Sequence, residues 1–308
     1  MSKIIIQNGS MCELDLPLKF AQKLYNEFAI RHPNAFYLRT RQRGMQNWDG
    51  KIHYITKTGQ FKIGLLPKVY DMCIEMGIKP KVVDMRQPLP KVSKVVTNIG
   101  KYKLRPEQEK AVKAVINNKI GNTPFHIGVL DYTVNAGKTL IMSSLYLSYK
   151  KQLKTLLITN DSDWLNQARE EFKQYLPGED ITFVQGKVLN WSNFTIGMVQ
   201  SISRNMRFYQ KELSQIDMVL IDEADQGGSK QYQNVITRLF NTRIRIGLSG
   251  TIYMSKLAKD RVKNMNLECF FGKVLAEFKL KDSIKKGYST KTVVKMVPGK
   301  PWYGNWES

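Results

Sequence analysis

Metal and covalent chemistry have few candidate residues in this chain of 308 residues. Its three cysteines, Cys12, Cys73 and Cys269, are too far apart for a disulfide framework or a zinc knuckle. Its three histidines, His32, His53 and His126, never fall at metal-ligand spacing, so histidine-based hydrolysis lacks parts. No run of about 18 apolar residues occurs, so no membrane span is expected, and MSKIIIQNGS turns polar too soon for a signal peptide. A reducing cytoplasm fits these absences. No internal repeat or long low-complexity tract is present. Acidic residues are also scarce, 26 against 48 Lys and Arg, which leaves a formal net charge of +22. That excess points to a polyanionic partner, nucleic acid before membrane. Residues 1–95 hold 16 basic and 7 acidic residues and residues 96–308 hold 32 and 19, so the shorter part is denser in positive charge.

What the chain does have centres on Asp131-Tyr-Thr-Val-Asn-Ala-Gly-Lys-Thr139. An apolar run leads in and a helix-forming run leads out, the arrangement that holds a triphosphate on loop N–H groups and a helix N-terminus. Asn135, Ala136 and Gly137 belong to the expected ATP cradle. Lys138 would reach the β and γ phosphates, and the Thr139 hydroxyl would sit on Mg²⁺. One departure stands out: Tyr132 occupies the place of the first P-loop glycine. An ordinary helix start after a buried strand would read the same way, so other segments must decide.

From Leu104 onward strands and helices alternate, which predicts an α/β fold with a parallel sheet. Strands are expected at Phe125–Leu130, Thr155–Thr159, Ile181–Val184, Phe194–Val199, Met218–Ile221 and Ile244–Leu248, with helices including Pro106–Asn117, Lys138–Tyr149, Asp163–Tyr175 and Ser229–Phe240. Asp222 directly follows an apolar strand, where it can hold Mg²⁺ opposite Thr139. Glu223 beside it is placed to orient or deprotonate the attacking water. Paired with Gly-Lys-Thr about 80 residues earlier, Asp-Glu becomes a strong signal.

Before this lies a small α+β segment, residues 1–95, joined by the proline- and lysine-containing stretch from Gln87. Strands are predicted at Lys3–Gln7 and Met11–Asp15, a helix from Pro17 to near His32, and a strand at Ala35–Arg43. Further strands at Lys51–Thr56 and Phe61–Leu66 and a helix from Pro67 follow. In the strand reading Tyr37, Arg39, Arg41 and Arg43 share one face. Such a row could bridge phosphates beside a stacking ring, although a solvated strand face has the same pattern. Lys51 adds a cation nearby, and Trp48 reads as a packing residue in the turn.

Several of these motifs together resemble the superfamily-two helicases, from about Lys101 to Lys286. Leu104-Arg-Pro-Glu-Gln108 is similar to the adenine-reading segment, which implies Gln108 on the adenine edge and Arg105 near the base. Gly137-Lys-Thr139 resembles motif I and Asp222-Glu-Ala-Asp225 motif II. Ser249-Gly-Thr251 resembles motif III, so the resemblance implies that Asp225, Ser249 and Thr251 couple ATP state to strand contacts. Asn160, Gln200 and Ser201 stand where the family touches nucleic acid. Thr159-Asn-Asp-Ser-Asp163 and Ser249-Gly-Thr251 differ from the corresponding DEAD-box RNA helicase motifs.

Phe36-Tyr-Leu-Arg-Thr-Arg41, Asn47-Trp-Asp-Gly-Lys51 and Leu65–Gly77 are similar to the small N-terminal domain of the UvsW-type phage recombination helicases. That resemblance implies an ATP- and Mg²⁺-dependent DNA helicase with a RecA-like P-loop domain at 96–278. It would act on forks, Holliday junctions or R-loops in the cytoplasm, the host's if phage-encoded. It also implies a second RecA-like domain that supplies an arginine finger. Residues 279–308 resemble the entry to that domain and are too short to contain it, so another chain or domain is an expected partner. With seven lysines this segment is also a candidate DNA contact. On this reading the chain alone binds ATP–Mg²⁺ and DNA but hydrolyses slowly. Alternatives are a nucleotide- and DNA-binding module without turnover, or the motor subunit of a restriction or defence complex.

Overall fold

The computed structural model describes residues 2–42, 44–149, 152–188, 191–252 and 260–290. Its N-terminal part begins with β1 (Lys3–Ile6), β2 (Met11–Asp15), α1 (Leu18–Glu27) and β3 (Ala29–Arg31). It continues through α2 (Ala35–Arg41), β4 (Lys51–His53), β5 (Gln60–Lys62), α3 (Leu66–Glu75) and β6 (Lys81–Asp84). Strand order β5-β2-β1-β6 makes a four-stranded sheet, and β3 pairs with β4. Residues 85–97 contain neither helix nor strand. They are nonetheless held in place: Ser144 Oγ donates to Val96 O (2.6 Å), Val96 N–H donates to Ser148 Oγ (3.0 Å), and Leu89, Val92 and Val95 pack on the core.

The second part runs through β7 (Asn98–Ile99), β8 (Tyr102–Lys103), α4 (Pro106–Ile116), β9 (Lys119–Ile120), β10 (Thr123–Pro124), β11 (His126–Tyr132) and α5 (Lys138–Ser148). Next come β12 (Thr155–Thr159), α6 (Ser162–Tyr175), β13 (Ile181–Val184), β14 (Phe194–Met198), α7 (Val199–Arg204), α8 (Gln210–Ser214) and β15 (Met218–Asp222). The described part ends with α9 (Lys230–Ile236), β16 (Ile244–Ser249), α10 (Arg261–Phe271), β17 (Val274–Phe278) and α11 (Leu280–Lys285). Seven strands form one parallel sheet in the order β13-β14-β12-β15-β16-β11-β17. This is a RecA-like α/β fold. Alternate residues face opposite layers, as the two-residue strand period requires. Val219 and Ile221 enter the core shared with the N-terminal sheet, while Met218 and Leu220 enter the other.

The expected strand at Ala35–Arg43 is instead the helix α2, so the row of arginines on one strand face does not exist. Leu38 N–H and Gln42 N–H donate to Asn34 O and Leu38 O, and β3 pairs with β4 without it. On the helix, Tyr37 and Arg41 are one turn apart, and the Arg41 guanidinium stacks 4.9 Å from the Tyr37 ring. Arg43 lies outside the described residues, as do residues 291–308 of the expected basic tail. Other boundaries moved less. The helix from Pro17 stops at Glu27, because β3 takes Ala29–Arg31. Lys51–Thr56 is a strand only to His53, Phe61–Leu66 only to Lys62, and the helix expected at Ser229–Phe240 ends at Ile236.

Arg245 fastens the N-terminal part to the sheet. It is fully buried on β16 and donates to Gly9 O and to Phe270 O (3.0 Å). Burial, with a smaller push from Arg86, lowers its pKa to about 9. Gly9 N–H returns a bond to Phe240 O at 2.6 Å.

Candidate nucleotide site and nucleic-acid face

Strand β11 runs two residues further than expected, and this accounts for Tyr132. The ring is buried inside the strand, where no special φ is needed, and its hydroxyl donates to Glu107 O at 2.7 Å. The turn starts after it. Left-handed backbone falls at Asn135 (φ 63) and at Gly137 (φ 73), the N-cap residue just before α5. A Cβ on Gly137 would lie 2.3 Å from Gln108 Nε2, so the loop fits closely around a glycine there. The N–H groups of Asn135, Gly137, Lys138 and Thr139 take no partner among the described residues. Such unpaired donors at a helix start suit phosphate oxygens.

Gln108 is buried. Its Nε2 donates to Ala136 O (2.9 Å) and its Oε1 accepts from Arg105 N–H (2.8 Å). The amide nitrogen therefore braces the loop, while the amide oxygen caps the start of Gln108's own helix α4. Arg105 Nη2 donates to Asn135 O (3.1 Å), and its guanidinium lies 4.2 Å from the Tyr288 ring.

Lys138 Nζ lies 2.9 Å from Asp222 Oδ1 and 3.3 Å from Glu223 Oε1, which joins the loop after β11 to the end of β15. Burial opposes the charge on Lys138, but the two carboxylates outweigh it and hold its pKa above the ordinary lysine value. Glu223 has left-handed backbone, φ 51, on a residue that is not glycine. Burial raises its pKa, helped by the charges of Asp222 and Asp225 and countered by Lys138. Thr139, in the first turn of α5, and Asp222, at the end of β15, are both buried. A hydroxyl, a carboxylate and a lysine that phosphates could draw away suit Mg²⁺ with a triphosphate.

Ser249 Oγ donates to Asp225 Oδ1 (2.8 Å) and accepts from Thr251 N–H (3.2 Å), so the three expected coupling residues form one hydrogen-bonded unit. Gln200 Nε2 donates to Asn160 O (3.2 Å), and Ser201 Oγ accepts from Gly186 N–H (2.9 Å). These three candidate residues thus meet at the carboxyl ends of β12 and β14. Arg39, Arg41 and Lys51 sit apart, exposed on the N-terminal part. The segment around Lys51 is built as a turn. Trp48 Nε1 donates to Lys51 O (2.9 Å), His53 Nε2 pairs with Asp49 Oδ2 (2.7 Å), and Gly50 has φ 78.

The braces behind the loop were not foreseen. Lys279 pairs with Asp131, and Lys286 with Glu107 at 2.7 Å. Asp131 and Glu107 are both buried, and a buried acid calls for a cation. Partners 148 and 179 residues away have no local pattern in the sequence.

Residues 101–254 match the family described as type III restriction enzyme, res subunit. The ATP-dependent DNA helicase uvsW of Enterobacteria phage T4 is 22% identical over 228 residues, which is 67% of this chain and 43% of that protein. A crystal structure of the UvsW helicase from bacteriophage T4 is similar with a TM-score of 0.69 and 20% identity, covering 89% of this chain and 99% of that one. A second T4 UvsW crystal structure gives 0.67 and 20%, covering 89% and 56%. The chain therefore spans less than half the length of the curated relative. The structural likeness includes the N-terminal part as well as the parallel sheet.

Proposed function

The chain belongs to the family described as type III restriction enzyme, res subunit, and from that premise we propose that it is an ATP-dependent, helicase-type enzyme acting on branched DNA. Forks, Holliday junctions and R-loops are the substrates that the UvsW likeness suggests. The observation that carries the nucleotide half is the Lys138–Asp222–Glu223 cluster beside unpaired loop N–H groups. Asn135, Ala136, Gly137, Lys138 and Thr139 would hold ATP, with Arg105 and Gln108 fixing the loop's far side. Mg²⁺, held by Thr139 and Asp222, would neutralise phosphate charge when bound. Lys138 would exchange its carboxylate partners for β and γ oxygens. That exchange frees Glu223, whose raised pKa suits a group that accepts a proton from water. Asp225, Ser249 and Thr251 would pass the change to Asn160, Gln200 and Ser201, while α2 and Lys51 would grip DNA. A second RecA-like unit would supply the arginine finger.

The test is fluorescent ATP binding and hydrolysis with forked, single-stranded and duplex DNA and with RNA. Binding that Lys138→Ala abolishes, together with stimulation greatest on forks, is the expected result. ATP affinity unchanged in Lys138→Ala would overturn the nucleotide site. The matched family also favours a second reading, the motor subunit of a restriction complex, for which unbranched duplex would stimulate as well as forks. The likeness to UvsW over 89% of the chain favours the first.

A further inference from the structure

A groove lies between α7, α8 and the connection from α9 to β16. Its two adjoining hollows, of about 360 and 460 Å³, share Arg207, Phe208, Gln210 and Arg238. Arg204 lines the first, and Lys211 and Phe240 the second. None of these cations has an ion pair among the described residues, and no acid lines either hollow. Elsewhere exposed lysines do find partners, as in Lys113–Glu109 and Lys173–Glu170.

Two phenyl rings stand open beside this charge, Phe208 at 58% and Phe240 at 45% exposure. Lys187 Nζ lies 3.9 Å from the Phe208 ring centre. The turn that carries Phe208 is anchored by its neighbour. The neighbouring Tyr209 is buried, and its hydroxyl accepts from Val188 N–H (2.8 Å) and donates to Gly186 O (3.0 Å). Packing therefore uses Tyr209 and leaves Phe208 outside. The groove begins beside a face already described, one turn along α7, and runs from it toward the amino ends of the strands. Arg204 follows Gln200 and Ser201 on α7, and Phe240 lies before β16, at the strand ends opposite the P-loop.

We propose that this groove is a second nucleic-acid site on the RecA-like part, and that it takes a single strand. Phosphates pair with Arg204, Arg207, Lys211 and Arg238, and bases stack on Phe208 and Phe240. A duplex hides its base faces, so open rings favour a single strand. The proposal rests on the reading that the chain acts on nucleic acid, and it adds a path separate from α2 and from the ATP site.

The experiment measures binding of fluorescent (dT)20 and of a 20-base-pair duplex to the full chain across salt concentrations. Phe208→Ala should weaken (dT)20 at least about fivefold, the low end for one stacked base, and leave the duplex nearly unchanged. Arg204→Ala with Arg238→Ala should lower the salt slope for (dT)20 by about 1.4, at roughly 0.7 per lost phosphate contact. Arg207→Glu, also at an exposed position, is the third variant and should weaken (dT)20 binding too, and melting curves matching the parent's show that each variant folds. Parent-like affinity and slope in all three folded variants overturn the groove, including when Arg39→Ala with Arg41→Ala weakens binding. A parent chain that binds neither probe overturns the nucleic-acid reading as well.

Discussion

Gly64→Ala should loosen the attachment of the N-terminal part without harming the nucleotide site. Gly64 lies in the 3-10 turn Ile63–Leu65, pressed on the end of α10. A Cβ there would meet Glu268 O at 2.2 Å and Cys269 O at 2.6 Å. Both atoms are backbone carbonyls, and α10 cannot retreat without unpacking the buried Leu267, Phe270 and Phe271. Overpacking costs about 1–3 kcal/mol, and rigid backbone neighbours put this site at the upper end. At roughly 2–4 °C per kcal/mol, Tm should fall about 5–10 °C in differential scanning calorimetry. Gly228→Ala is the control, because its Cβ would meet Leu267 Cδ2 at an ordinary 3.7 Å, and it should shift Tm little. Limited proteolysis of Gly64→Ala should cut more readily within residues 85–97, while fluorescent ATP still binds. A Gly64→Ala chain that melts within about 1 °C of its parent would refute the tight junction, since the clash leaves no room for neutrality.

Glu223→Gln tests the raised carboxyl pKa. The folded value lies above the ordinary 4.5, so its stabilising contribution is complete below that pH and lost as pH rises through the folded pKa. The variant should match or exceed the parent's Tm at pH 7, with the difference shrinking toward pH 4; a gain that grows on acidification contradicts the sign. Ser249→Ala removes the 2.8 Å donor to Asp225 and should cost about 1.5–3 kcal/mol by urea titration. In that variant ATP affinity should hold while DNA stimulation of hydrolysis falls, and intact stimulation would exclude a coupling role. Tyr132→Gly, which restores the usual first P-loop glycine, should destabilise by about 3–5 kcal/mol because it deletes a buried ring. Unchanged urea stability would mean that Tyr132 is not the strand residue described.

The contrast between Tyr132 and the segment at Ala35 shows which physical signals a sequence carries. Strands of the parallel sheet are buried on both faces, so their apolar runs are long and their polar ends conspicuous. Asp222 after Met218–Ile221 and Ser249 after Ile244–Leu248 could therefore be placed from local pattern alone. Ala35–Arg41 has no such enforcement. Phe36 and Tyr37 are largely exposed, so no buried face sets a period, and seven alternating residues suit a short helix as well as a strand. Hydrogen bonding decided it, with β3 and β4 pairing across the segment. Tyr132 misled for a related reason: a motif counts residues, whereas the fold counts where β11 ends. Once the strand reaches Tyr132, the positive φ angles fall on Asn135 and Gly137, and no glycine is required before them. The long-range braces, Lys279 on Asp131 and Lys286 on Glu107, lay beyond any local signal. They join the strand and helix behind the loop to the segment after β17. Movement of that segment would thus reach Arg105 and Asn135 through side chains already in contact.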